Sequence, residues 1–238
     1  MTSFTYMKVF TGQNGTSPQT LNLNPIPPNA LALIAMGFPS VGPSVTGIAV
    51  ATAGATGTFI RLNSMNGGGR TGELWLGYNF VGYPSSFVVT WSGGGSCQIN
   101  ETYLIADADL TVAPNVNAAT PTAGTSTTLN SGSVTPVLGD LLIAFGIWAS
   151  ATGSSARVST GNIFAPSTLN EHNANVTNVS MLAGPANVAV ASSLQWTIPS
   201  VAWLGMALSL TFAAPPAPVP AFVYKGRDTA IADAGTVP

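Results

Sequence analysis

Charge is the scarcest property of this chain. Six basic and eight acidic residues are spread over 238 positions, whereas a soluble domain ordinarily has about a quarter of its residues charged. None lies between Lys8 and Arg61. Solubility therefore rests on Ser, Thr, Asn, Gln and Gly. The cations, Lys8, Arg61, Arg70, Arg157, Lys225 and Arg227, are scattered, and the net charge is −2. That excludes the clustered positive field on which nucleic-acid binding depends.

Cysteine and histidine are nearly absent. One cysteine, Cys97, rules out an intrachain disulfide, and is read as a small buried apolar residue. One histidine, His172, would have to serve any Ser-His-Asp or Cys-His arrangement. It sits in Asn170-Glu171-His172-Asn173-Ala174-Asn175, which reads as a solvated loop. A zinc-type centre wants several His or Cys ligands, so none is expected. Asp107 and Asp109 share the spacing of one strand face, but a lone carboxylate pair is too little for a calcium site. Glu73 and Glu101, on separate expected strands, are the one pair suited to glycoside hydrolysis. The alternation around Glu73 reads it as an exposed, solubilising residue. The chain is thus expected to be no enzyme, with no cofactor and no bound metal.

Long apolar helices are missing too. The uncharged run from Val9 to Ile60 is broken by Pro25, Pro27, Pro28, Pro39 and Pro43. The run from Val201 to Val223 holds Pro215, Pro216, Pro218 and Pro220, which exclude a regular helix there. Membrane insertion is therefore not expected. Gly67-Gly68-Gly69-Arg70-Thr71-Gly72 is rich in glycine, but it separates two strand-like runs and opens no helix. It reads as a hairpin turn, not a phosphate cradle.

What is present is a period of two. Leu74, Leu76, Tyr78 and Phe80 alternate with Glu73, Trp75, Gly77 and Asn79. Phe87, Val89 and Trp91 alternate with Val88 and Thr90, and Met206, Leu208, Leu210 and Phe212 with Ala207, Ser209 and Thr211. Strand side chains point to opposite faces in turn, so these runs are strands. Further strands are expected near Phe4–Phe10, Ala30–Phe38, Ser44–Ala51, Thr58–Met65, Cys97–Ile105, Ser126–Asn130, Asp140–Ser150, Asn162–Leu169 and Val176–Leu182. The last two are expected at Asn187–Ile198 and Trp203–Phe212. Such spacing predicts an all-β fold, a jelly-roll-like antiparallel β-sandwich. Residues 1–213 are read as one sandwich domain, with a division near 113–125 as the alternative. Residues 214–238 are read as a Pro-rich extended C-terminal arm.

Two sets of residues carry functional interest. Trp75, Tyr83 and Trp203 are candidate platforms for glycan stacking or subunit contact. A strand of a sandwich can be covered on both faces, so packing under a second layer is the competing reading for Trp75. Phe222, Val223, Tyr224, Lys225 and Arg227 form a short apolar and basic segment beyond the prolines. It is read as an assembly arm that adds to a neighbour's sheet edge.

Asn29-Ala30-Leu31-Ala32-Leu33-Ile34-Ala35, Glu73-Leu74-Trp75-Leu76-Gly77-Tyr78, Phe87-Val88-Val89-Thr90-Trp91, Leu194-Gln195-Trp196 and Leu208-Ser209-Leu210-Thr211-Phe212 follow one another in an order that resembles a known group. It resembles the β-sandwich modules of tailed-phage virions, found as head decorations, spikes or tail appendages. The likeness covers residues 1–213. Tyr224-Lys225-Gly226-Arg227-Asp228-Thr229 is similar to the extended arms of such proteins. The resemblance implies a structural or adhesive role and no catalytic residues.

The expectation is a virion structural protein that assembles with copies of itself and docks on a larger capsid or tail. It would be made in the host cytoplasm, consistent with an N-terminus lacking a signal pattern. A carbohydrate-binding adhesin that takes a surface glycan is the alternative. A third reading is an extracellular filament subunit joined by strand donation.

Overall fold

The computed structural model describes residues 4–22, 24–93, 95–150, 152–164, 171–174 and 177–215. No helix occurs among them. The first half of the chain forms β1 (Phe4–Gly15), β2 (Gln19–Asn22), β3 (Ala30–Phe38), β4 (Val45–Val50), β5 (Thr56–Gly67), β6 (Arg70–Val81), β7 (Ser86–Trp91) and β8 (Cys97–Ala106). The second half forms β9 (Asn115–Ala118), β10 (Thr122–Asn130), β11 (Leu141–Trp148), β12 (Ala156–Thr160), β13 (Glu171–Ala174), β14 (Thr177–Pro185) and β15 (Ser193–Thr211).

These strands make three antiparallel sheets. The central one runs β1-β8-β3-β6-β5. A three-stranded sheet, β2-β7-β4, covers one of its faces. The other face meets a seven-stranded sheet, β10-β15-β11-β14-β13, with β9 and β12 also paired to β15. The expected antiparallel β-sandwich is therefore present, with three stacked sheets where a jelly roll has two. The first half of the chain builds two of the sheets and the second half builds the third.

Alternation assigns each core its residues. In β3, Leu31, Leu33 and Ala35 face the seven-stranded sheet, while Ala32, Ile34 and Met36 face the three-stranded one. Every residue of β3 is buried. That is why this segment reads as a continuous apolar run and not as an alternating one. Phe145 and Ile147 of β11 and Met206 and Leu208 of β15 close the first core. Phe87, Val89 and Trp91 of β7 close the second. A third cluster lies on the outer face of the seven-stranded sheet, around Leu142, Trp148, Leu194, Trp196 and Trp203.

Several expectations change in the structure, each for a local reason. Phe80 does not follow Leu74, Leu76 and Tyr78 into the first core but joins the second. Asn79 adopts φ +54°, and the β5–β6 register shifts between Thr56 and Thr58. The resulting bulge turns the strand over by one residue. Phe80 then meets Phe59 and Phe87, with ring centroids 6.0 and 5.7 Å away.

The two strands expected at Asn187–Ile198 and Trp203–Phe212 are one strand, β15. Its pairing with β10 jumps from Thr197↔Thr128 to Val201↔Ser126. Pro199, which has no N–H to give a ladder, sits in the unpaired bend. The expected loop at 113–125 contains β9 and the start of β10. His172 lies in β13, paired across from Val179, not in a loop. No strand forms at residues 162–164, and residues 165–169 lie outside the described ones.

The Asn66–Gly69 turn is as the sequence suggests. Gly68 and Gly69 adopt φ +52° and +74° between the paired residues Gly67 and Arg70, as a two-residue hairpin turn demands. Gly77 has a different task. A Cβ there would stand 2.7 Å from the Phe59 ring and 2.8 Å from that of Phe80. We expect Gly77→Ala to destabilise the protein by about 1–3 kcal/mol through overpacking. Equilibrium denaturation in urea measures this, and an unchanged midpoint would contradict the packing described.

Candidate functional site

Glu73 sits on β6 and is fully buried, contrary to its reading as a solubilising surface residue. The three-stranded sheet covers the face on which it lies. Its Oε1 accepts hydrogen bonds from Ser44 Oγ at 2.7 Å and from the Val45 amide at 3.2 Å. Its Oε2 accepts one from Trp75 Nε1 at 2.8 Å. Arg61 Nη1 lies 3.6 Å from Oε1, and its side chain is 47% exposed. A buried carboxylate needs such donors to offset its lost hydration. One side chain thereby ties the start of β4 to the central sheet.

Trp75 is half-buried and packs against the second core, with its N–H committed to Glu73. Trp203 is 8% exposed. Its Nε1 donates to Ser126 Oγ at 3.0 Å, and its ring covers Gly124, where a Cβ would lie 2.8 Å from it. The two tryptophans belong to different core clusters on opposite sides of the stack. Tyr83 alone of the three candidates is well exposed, at 59%. Phe222, Val223, Tyr224, Lys225 and Arg227 lie outside the described residues.

Glu101 of β8 is also buried, beside Tyr103, whose hydroxyl donates to Oε2 at 2.6 Å. Burial pushes the Glu101 carboxyl up to about 7, although the Tyr103 hydrogen bond pulls it down. Burial, together with the facing Glu101, pushes the Tyr103 phenol well up. Cys97 is buried, and burial raises its thiol well above the ordinary range. A thiolate is the reactive form, so this cysteine behaves as a small apolar side chain.

An open cavity of about 360 Å³ lies at the end of the central sheet, beside the Asn79 bulge. Phe80 and Leu110 form its apolar floor, and Asn29, Asn79, Asp109 and Thr111 bring polar groups to it. Neither Glu73 nor Glu101 lines it. Asp109 Oδ1 accepts from the Thr111 hydroxyl at 2.6 Å and the Thr111 amide at 2.9 Å. Both bonds hold its carboxyl below the usual range. The side-chain amides of Asn29 and Asn79 make no hydrogen bond among the described residues. Asp107 and Asp109 form no group with a third metal-type ligand among the described residues.

Sequence reading named Asp109 and Tyr83 at this end, but not Asn29 or Asn79. An asparagine within an alternating run looks like any solvent-facing residue. Only the positive φ singles it out. The fold and the site together define an all-β, three-sheet protein with one shallow polar-rimmed cavity described here. Comparison with protein-family models, curated proteins and solved structures finds no match.

Removing the Glu73 carboxylate leaves the Val45 amide and the Trp75 indole without an acceptor. We expect Glu73→Ala to cost about 3 kcal/mol or more, and Glu73→Gln, which keeps one oxygen acceptor, to cost less. Urea unfolding of both variants checks the order.

Glu101 gives a pH signature. Its folded value of about 7 lies above the ordinary glutamate value of 4.5. The native state therefore holds the proton more tightly than the unfolded chain. Its contribution to stability is complete below pH 4.5 and is lost as the pH rises through 7. The difference amounts to about 3 kcal/mol. Urea unfolding at pH 5 and pH 8 should show this loss in the parent and not in Glu101→Gln.

Proposed function

We propose that this chain is a non-enzymatic structural subunit of a virion, serving as a capsid decoration, spike or tail component that assembles with copies of itself. The observation that carries the reading is a set of exposed aliphatic side chains on uncharged turns and an edge strand of the seven-stranded sheet. Val137, Leu138, Val158, Ile163, Val188 and Val190 are each 45–74% exposed there. No charged residue occurs in segments 131–139, 158–164 or 186–194.

Buried polar side chains brace these segments. Asn162 Nδ2 donates to the Val188 carbonyl at 2.8 Å, and its Oδ1 accepts from the Asn187 and Val188 amides. Ser192 Oγ donates to the Val190 carbonyl at 2.9 Å and accepts from the Asn162 amide. The Val137–Leu138 turn is tied in through the Gly139 amide, which donates to the Ala186 carbonyl at 3.0 Å. Exposed aliphatic groups held on a stiff frame lose little freedom when covered, which favours association. Large apolar patches of this kind mark contact surfaces.

The carboxylates fit the same reading. Glu73 and Glu101 are both buried in hydrogen bonds within the fold, whereas glycosidase carboxylates flank an open groove. The partners are thus copies of this chain and a larger shell, in a virion.

Sedimentation velocity on the full chain tests the proposal. A defined oligomer is expected, and Leu138→Asp with Ile163→Asp should convert it to monomer without lowering the melting temperature. A chain ended after Pro215, which keeps the bridge between Asp109 and Ala213, separates the arm's share from that of this patch. A full chain that stays monomeric at high concentration would contradict self-assembly.

A further inference from the structure

The cavity beside Asn79 is independent of the assembly surface, and its chemistry points to a ligand. Two non-glycine residues of the protein's described part adopt positive φ, Asn79 and Tyr83, both at +54°. Both belong to this end of the central sheet. Asn79 lines the cavity, and so does Val81, two residues before Tyr83. The Pro84 carbonyl, next to Tyr83, accepts from the Ile26 amide at 2.9 Å. Ile26 is two residues before Pro28, another lining residue. Tyr83 follows the lining residue Val81 in the chain and does not itself line the cavity.

The left-handed region suits glycine. Asparagine tolerates it, and an aromatic side chain there is rare. Strain that a glycine would relieve, held at the lip of a cavity, is the pattern of a binding site. Packing gives Tyr83 no compensation, since it is the most exposed aromatic residue described, at 59%.

The walls select the ligand class. Pro28, Val81 and Leu110 offer apolar surface, and the Asn29 and Asn79 amides each offer a donor and an acceptor with no partner among the described residues. Asp109 adds an acceptor, and among the described residues no basic side chain lines the cavity. A facing carboxylate without a cation repels anions. The volume of about 360 Å³ is at the small end of ligand pockets, enough for one ring. A pyranose has an apolar C–H face and adjacent hydroxyls that match an amide's paired donor and acceptor. The geometry points to a neutral saccharide: we infer that one uncharged hexose ring of a glycan binds here, against Val81 and Leu110, with Asn29, Asn79 and Asp109 on its hydroxyls. Binding through a single ring is weak, and repetition in an oligomer would multiply it.

The strain provides the test. Asn79→Gly places glycine where the backbone favours it, and Asn29→Gly removes an exposed side chain from a turn, so both variants should melt close to the parent while losing the ligand. The measurement is saturation-transfer difference NMR on the full chain. The probes are methyl α-D-glucopyranoside, methyl β-D-galactopyranoside and N-acetyl-D-glucosamine, each at about 20 mM, well above a millimolar Kd. N-acetylneuraminic acid is the charged control. The inference predicts transfer to the ring C–H protons of at least one neutral probe, none to the acid, and loss of transfer in both glycine variants. Absence of transfer for all three neutral probes overturns it. So does transfer of equal strength in both variants, or binding of the acid alone.

Discussion

A β-sheet covered on both faces cannot leave a polar side chain to water, and this condition governs the molecule. The central sheet is sandwiched between a seven-stranded and a three-stranded sheet. A charge buried in it is costly unless it finds partners inside. On the side of the small sheet, Glu73 does this by collecting Ser44, Val45, Trp75 and Arg61. A three-stranded sheet has little area with which to hold itself in place. The buried carboxylate fixes its first residues, and the Phe59, Phe80 and Phe87 rings add apolar contact.

The same condition shapes the surface. Glu73, Glu101 and Asp140 are buried, so at least three of the eight acidic residues are withdrawn from it. Asp140 receives the Val137 amide and the Thr211 hydroxyl, which closes the turn carrying the exposed Val137 and Leu138. A chain with few charges thus spends several of them inside and presents an outside of hydroxyls, amides and aliphatic groups. Such a surface repels its own copies weakly.

Much of this was legible in the residues. Period-two alternation located β6, β7 and the end of β15, because a strand with one apolar face leaves that imprint whatever lies above it, while β3 and β11 showed as continuous apolar runs. What covers the other face leaves none. Glu73 in an alternating run has the same appearance whether water or a second sheet lies over it, and so its burial and that of Trp75 depend on tertiary structure. Local backbone events were also hidden. The Asn79 bulge moves Phe80 between cores, and the Pro199 bend joins two expected strands into one. Short strands such as β2, β9 and β12 were missed because four or five residues with one or two apolar side chains are too few to show a period. Of the candidate site, Tyr83 and Asp109 could be named in advance, whereas Asn29 and Asn79 became distinct only through the cavity they share.

The five-stranded sheet is the doubly covered heart of the fold. Native-state amide hydrogen exchange addresses it residue by residue. The account predicts that amides of β3 and β8 exchange only through global unfolding, together with those of β11 and β14, while those of β2, β4 and β7 open earlier. Amides of β3 exchanging as fast as those of β4 would show that the central sheet is not enclosed, and would contradict the account.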